Sequence, residues 1–172
     1  MFRQDAGNLL KTSERSFLMK KTGKLEAILW SIALPGFGQF LNGHFGKGVV
    51  FIALEFLINL NALFNLTIKY SFNGDITKAF NTSDPQWLMF YPCVYMFAMY
   101  DAYKFADGPS PPLSFLPFAF SAYFVTIGIM FSDRVSFFGI MPGPVWLPML
   151  FLIPGLAAGF GIRFLLIRFY KV

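Results

Sequence analysis

Charge is what this chain of 172 residues has least of: only 13% are Asp, Glu, Lys or Arg, about half the share of a soluble globular domain. With 56% hydrophobic residues as well, the chain cannot stay solvated as a disordered segment. Nor can it present the dense basic surface that nucleic acid requires. Cysteine is nearly missing, since Cys93 is the one thiol, and a single thiol closes no internal disulfide. Histidine is equally scarce. No Cys/His cluster has metal-site spacing, so no metal and no cofactor is expected. HExxH and GxSxG do not occur, and the lone His44, with Gln39 and Lys47 nearby, has no local nucleophile motif beside it. An enzyme is therefore not expected, and no catalytic residue is assigned.

What is abundant is apolar and aromatic: 24 Phe, 7 Tyr and 3 Trp. A single soluble core of this size needs far fewer, so the class is an integral membrane protein. Five apolar segments stand out, at 25–41, 49–68, 87–103, 113–131 and 145–167. A spanning helix needs roughly 20 apolar residues, with about 17 as a minimum. The second, fourth and fifth segments qualify. The third is short, with Trp87 at one end and Tyr100 and Tyr103 at the other, as interfacial belts require. The fold expected is an all-α polytopic bundle of four to five transmembrane helices. A basic cytoplasmic N-terminal segment, 1–24, precedes a single transmembrane domain, 25–172. No short apolar run with a small-residue cleavage site opens the chain, so the N-terminus is expected to stay on the mature protein.

The first segment carries a break. Pro35 removes a backbone donor, and Gly36 and Gly38 weaken the helix after it. A break at mid-depth must hide its polar backbone in protein or a wet cavity. Residues 25–48 are thus either a short spanning helix with a broken end or a re-entrant hairpin. With five full crossings, the Lys and Arg residues divide 9 inside to 5 outside. A re-entrant hairpin gives 11 inside and 3 outside (Lys69, Lys78 and Arg134), the better fit to the positive-inside rule. That model puts the polar loop 69–86 outside and both termini in the cytoplasm.

The run Pro35-Gly36-Phe37-Gly38-Gln39-Phe40-Leu41-Asn42-Gly43-His44-Phe45-Gly46-Lys47-Gly48 is the densest constellation. It is no Walker loop, because Gly48 follows Lys47 where Ser or Thr is needed. Its polar members Gln39, Asn42, His44 and Lys47 either satisfy freed backbone groups or line a small pocket for a ligand or lipid headgroup. The run resembles the PGxGQxYxGxxxxG signature of small bacterial polytopic membrane proteins related to the TM2-domain group, with Leu41 standing where an aromatic is usual. Tyr91-Pro92-Cys93-Val94-Tyr95 and Asp101-Ala102-Tyr103 resemble the aromatic second part of such proteins, which ends in an Asp. The resemblance covers residues 25–105 and implies a helical hairpin with two spanning helices; it implies hardly any function.

Glu55 lies six residues into an apolar helix, about 9 Å along it, and must face protein or water. Asn59 shares its face at a spacing of four, and Asn61 and Asn65 pair on another. Glu55 is then either a neutral hydrogen-bonded clamp or a proton or cation site. Asp101 is expected to pair on the surface with Lys104, or to reach back to Lys47 if the hairpin folds against its helix. Gly155 and Gly159 form a small-xxx-small pair for close packing, and Pro154 is expected to add a kink. The function expected is a non-enzymatic membrane subunit or scaffold. The alternatives are a transporter or channel component using Glu55, or lipid-headgroup binding at the glycine-rich turn. The partners expected are membrane lipids and another membrane protein or a second copy, with no nucleic acid.

Overall fold

The computed structural model describes residues 22–170; the basic N-terminal segment, as far as residue 21, lies outside the described residues. Those described form nine α-helices and no strand: α1 Lys24–Ala33, α2 Phe37–Leu41, α3 Phe45–Ala62, α4 Phe64–Phe72, α5 Ile76–Thr82, α6 Pro85–Leu88, α7 Tyr91–Phe105, α8 Leu116–Met130 and α9 Gly143–Tyr170. Two are long and apolar enough to cross a membrane, α3 and the stretch Gly143–Phe169 of α9. Helices α7 and α8 have 15 residues each, about 22 Å, which is short of a hydrocarbon core of about 30 Å.

The first segment is a hairpin whose two ends meet. Helix α1 stops at Leu34, which is extended as a residue before proline must be. Gly36 then turns the chain with φ 109°. A side chain there would strike Gly48 O at 2.5 Å, so only glycine fits. The return helix α2 closes with Gly43 in the left-handed region, His44 N donating to Gln39 O and Gly43 N to Phe40 O, a Schellman stop. Thr22 Oγ1 donates to Leu41 O at 3.1 Å. The chain therefore leaves the hairpin at the end of the bundle where it entered.

Helix α7 is the shared wall. α1 lies along it with Ala27 and Ala102 both fully buried, and the Tyr95 hydroxyl donates to Ile32 O near the hairpin tip. α3 runs antiparallel to it in rungs four residues apart on α3: Lys47 to Asp101, Phe51 to Phe97, Glu55 to Tyr91. α8 returns along its other side through Tyr100 and Tyr103 against Phe118.

Three expectations need correcting. The segment 49–68 is not one helix: Leu63 takes φ 48° and separates α3 from α4, and the Asp84 amide takes up Ala62 O beside the break. The polar loop 69–86 is largely helical, built from the end of α4, then α5 and α6. Two start signals explain this. Asp75 caps α5 and Asp84 caps α6, with Pro85 at the first helical position. The hydrogen bond from the Lys78 ammonium holds the Asp75 carboxyl below its ordinary value. That stabilisation is complete above the ordinary carboxylate range and is lost as pH falls through the lowered value. Trp87 belongs to the one-turn α6 rather than to α7. Helix α9, for its part, continues through both Pro148 and Pro154.

Helices α8 and α9 pack backbone to backbone. A methyl group at Gly128 would lie 2.7 Å from Pro148 Cα, at Gly155 2.9 Å from Ser121 Cα, and at Gly159 2.5 Å from Pro117 Cα. Those pairs advance in step along an antiparallel contact, the close approach that small residues permit. Gly161, two residues on, has nothing within 4 Å of an added methyl. Gly159→Ala must therefore push the helices apart and cost about 1–3 kcal/mol. Gly161→Ala should be neutral or gain up to about 1 kcal/mol of helix propensity. Thermal melting of both variants in detergent checks the contrast, and equal melting of the two would show that the helices are not held at this distance.

Candidate functional site

The hairpin carries its polar residues to α7. Gln39 is almost fully buried, at 1% exposure, because α2 is wedged between α1, α3 and α7. Its amide nitrogen donates to Ala98 O at 2.7 Å and to Asp101 Oδ2 at 3.2 Å. The Asn42 amide donates to Ala102 O at 2.8 Å. Lys47, in the first turn of α3, donates to Asp101 Oδ1 at 2.7 Å. The Asp101 side chain is 9% exposed and that of Lys47 44%. Asp101 thus pairs with Lys47 and not with Lys104, the local partner that the i,i+3 spacing suggests. The reason is burial: Asp101 faces the hairpin, whereas Lys104 is exposed and lies over the Phe105 ring at 5.7 Å. Lys47 Nζ stands 4.1 Å from the centre of the same ring, and His44 packs on it at 4.9 Å. Three of the four polar members of the glycine-rich run therefore gather on one carboxylate and two α7 carbonyls, with His44 at the rim.

The glycines make this approach possible. A methyl group at Gly38 would lie 2.6 Å from Ala27 O and 2.7 Å from the Ala102 side chain, and one at Gly48 would enter the Phe40 ring. Two acceptor atoms in the cluster, Gln39 Oε1 and Asn42 Oδ1, are buried with no partner among the described residues. On the open side, Gly46, Lys47, Val50, Phe51, Phe97 and Asp101 border a cleft of about 330 Å³.

Glu55 sits farther along α3, eight residues past Lys47 and so about 12 Å away along the helix. The Tyr91 hydroxyl donates to Glu55 Oε1 at 2.8 Å. Asn59 stands one turn further along α3, and its amide reaches Asn65 Oδ1 at 3.3 Å. The expected Asn61–Asn65 pair is not formed. Asn61 turns back to Leu57 O at 2.7 Å, since the break at Leu63 rotates Asn65 towards Asn59. Tyr91 is the site residue that sequence reasoning missed. Its position in an aromatic run gave no sign that its hydroxyl, rather than its ring, makes the contact.

Asp101 accepts from an ammonium and an amide, and Glu55 from a phenol. Among the described residues no three His, Cys, Asp or Glu side chains gather as metal ligands.

The ion pair gives an asymmetric prediction. Lys47→Met strands a nearly buried carboxylate and should cost about 2 kcal/mol in detergent melting, at the low end for buried pairs because Lys47 is half in solvent. Asp101→Asn keeps an acceptor for Gln39 and releases an ammonium that solvent can take, for under about 1 kcal/mol. The opposite order would mean that another interaction anchors the hairpin. Comparison with family models, with curated proteins and with solved structures finds no match to this chain.

Proposed function

We propose that this chain is a small, non-enzymatic, multi-pass protein of the cell membrane, a subunit or scaffold that presents its helix faces to another membrane protein or to a second copy of itself. The observation that carries the reading is a division of labour between inside and outside. Gln39, Asn42 and Lys47 each bond α7 at the α2–α3–α7 junction, and Glu55 accepts from Tyr91. The outer surface, by contrast, offers large apolar side chains such as Phe45, Phe56, Phe97, Tyr123, Phe160 and Phe164, each more than half exposed. In this reading α3, α7, α8 and α9 span, and α1–α2 is a re-entrant hairpin that keeps the TM2-like signature at its mouth. At that mouth Lys24, Lys47, Lys104, Arg163 and Arg168 outnumber Glu26, Asp101 and Asp107, whereas Lys69, Lys78 and Arg134 at the far end are equalled in number by Asp75, Asp84 and Asp133. The positive-inside rule then puts the mouth and both termini in the cytoplasm. No cofactor or metal enters the reading, and nucleic acid is not a partner.

Topology is testable with single cysteines at Ser83 and Ser110 in a Cys93→Ser background. A membrane-impermeant thiol reagent applied to intact cells should label position 83 and spare position 110; the reverse would restore five full crossings.

Function is testable at Glu55. As a clamp, it should tolerate Glu55→Gln, whose amide still donates and accepts, and Glu55→Leu should cost about 1 kcal/mol. Purification in mild detergent after cross-linking should recover a stoichiometric partner or oligomer, and proteoliposomes should show no proton flux. A flux that Glu55→Gln abolishes without changing the melting temperature would replace the scaffold by a carrier.

A further inference from the structure

At the basic end of the bundle a groove of about 520 Å³ opens between α1, α7, α8 and α9. Its walls are apolar, with Ile28, Met99, Phe118 and Phe160 among them, and Arg163 stands at its mouth. Arg163 donates through Nε to Pro112 O at 3.0 Å, so the backbone of the α7–α8 turn fixes its guanidinium while Nη1 and Nη2 have no protein partner among the described residues. Lys24 flanks the same turn, donating to Tyr103 O at 3.0 Å and Ser110 Oγ at 3.1 Å, with its ammonium 4.5 Å from the centre of the Tyr103 ring. Tyr103 also lines the groove. From Arg163 the lining runs inwards along α9 to Leu152, eleven residues. That is about 16 Å, the depth of one leaflet of a bilayer whose hydrocarbon is about 30 Å thick. The two other large grooves, of about 370 and 750 Å³, have no charged residue in their walls.

We propose that this groove is a binding site for one anionic phospholipid of the cytoplasmic leaflet, its acyl chain between α1, α7, α8 and α9 and its phosphate on the Arg163 guanidinium, with Lys24 adding positive charge. A planar guanidinium whose Nη1–Nη2 edge is free suits a phosphate as a point ammonium does not. Basic residues at the cytoplasmic surface favour anionic lipid generally. A groove one leaflet deep, joined to a fixed guanidinium, goes beyond that general attraction: it offers a bound chain and a bound headgroup together. The site is separate from the Lys47–Asp101 cluster, whose ammonium is already paired. The proposal rests on the membrane reading above.

The test is native mass spectrometry of the full chain in detergent, titrated with phosphatidylglycerol or phosphatidylcholine. Wild type should retain one phosphatidylglycerol at a concentration at least tenfold lower than phosphatidylcholine. Arg163→Gln should bring the two within about threefold. Leu156→Trp, which fills the groove from a partly exposed position, should remove the tight phosphatidylglycerol adduct. Detergent melting within a few degrees of wild type confirms that each variant is folded, and Phe160→Trp in the same wall serves if Leu156→Trp is not. A preference that survives Arg163→Gln, or a tight adduct that survives filling of the groove, overturns the proposal. Equal binding of both lipids by a protein that still sediments with membranes overturns this proposal alone. Recovery of the chain from cells in the aqueous fraction without detergent overturns the membrane reading as well.

Discussion

A chain that doubles back among apolar side chains must find partners for every backbone group the turn sets free. Here the turn's own backbone bonds and the Thr22 hydroxyl on Leu41 O meet that need, and a carboxylate on the neighbouring helix holds the hairpin in place. Asp101 projects from α7 into the hairpin and is met by the Gln39 amide from α2 and the Lys47 ammonium from α3. One side chain thereby ties together both helices that flank the turn at Asn42-Gly43. Gln39 and Asn42 extend the tie to the α7 backbone at Ala98 and Ala102. The close approach of backbones explains the small residues around it: Ala27 and Ala102 meet where α1 touches α7, and Gly38 fits between them.

The second polar cluster answers a different need. Glu55 lies within a helix whose backbone is already satisfied, so its Tyr91 bond serves the carboxylate itself. Like Lys47, it stands on the face of α3 that meets α7, and the ring contact of Phe51 with Phe97 separates the two. The alternation of ion pair, aromatic contact and hydrogen bond sets the register of two antiparallel helices. A slip by one turn would pair a charge with a ring at both ends.

The sequence made the hairpin legible because its causes are local. Pro35 and Gly36 stop α1, and Asn42-Gly43 stops α2, by backbone rules that hold whatever the surroundings. Membership of the polar cluster was only half legible. Gln39, Asn42 and Lys47 lie in one run, but Asp101 is 54 residues beyond Lys47, and the i,i+3 rule pointed to Lys104. Burial outweighed the local pairing. The break at Leu63 was not legible at all: leucine is a good helix former that rarely takes a left-handed conformation. The bond from the Asp84 amide to Ala62 O comes from tertiary structure. Helices α5 and α6, of seven and four residues, are too short for periodicity to show, and only their Asp caps and Pro85 announced them.

The hairpin also has a consequence for the rest of the bundle. It reaches only part of the way along α7, from the Asp107 turn to the level of Tyr95, so beyond Tyr95 the core helices lack that neighbour. The break at Leu63 supplies different cover there. It redirects the chain into α4, where the Phe72 ring meets Trp146 at 4.6 Å and Ser71 O accepts from the Trp146 indole at 3.2 Å. α5 sets Ile76 against Gly143, and α6 buries Leu88 with Ala62 and Ile129. A left-handed leucine is a strained way to end a helix. Its counterpart is the far-end packing of α4, α5 and α6, which a straight continuation of α3 could not make. The bundle is thus built from two unlike halves, a glycine-rich hairpin at the basic end and three short helices, two of them capped by Asp, at the charge-balanced end, joined by α3, α7, α8 and α9.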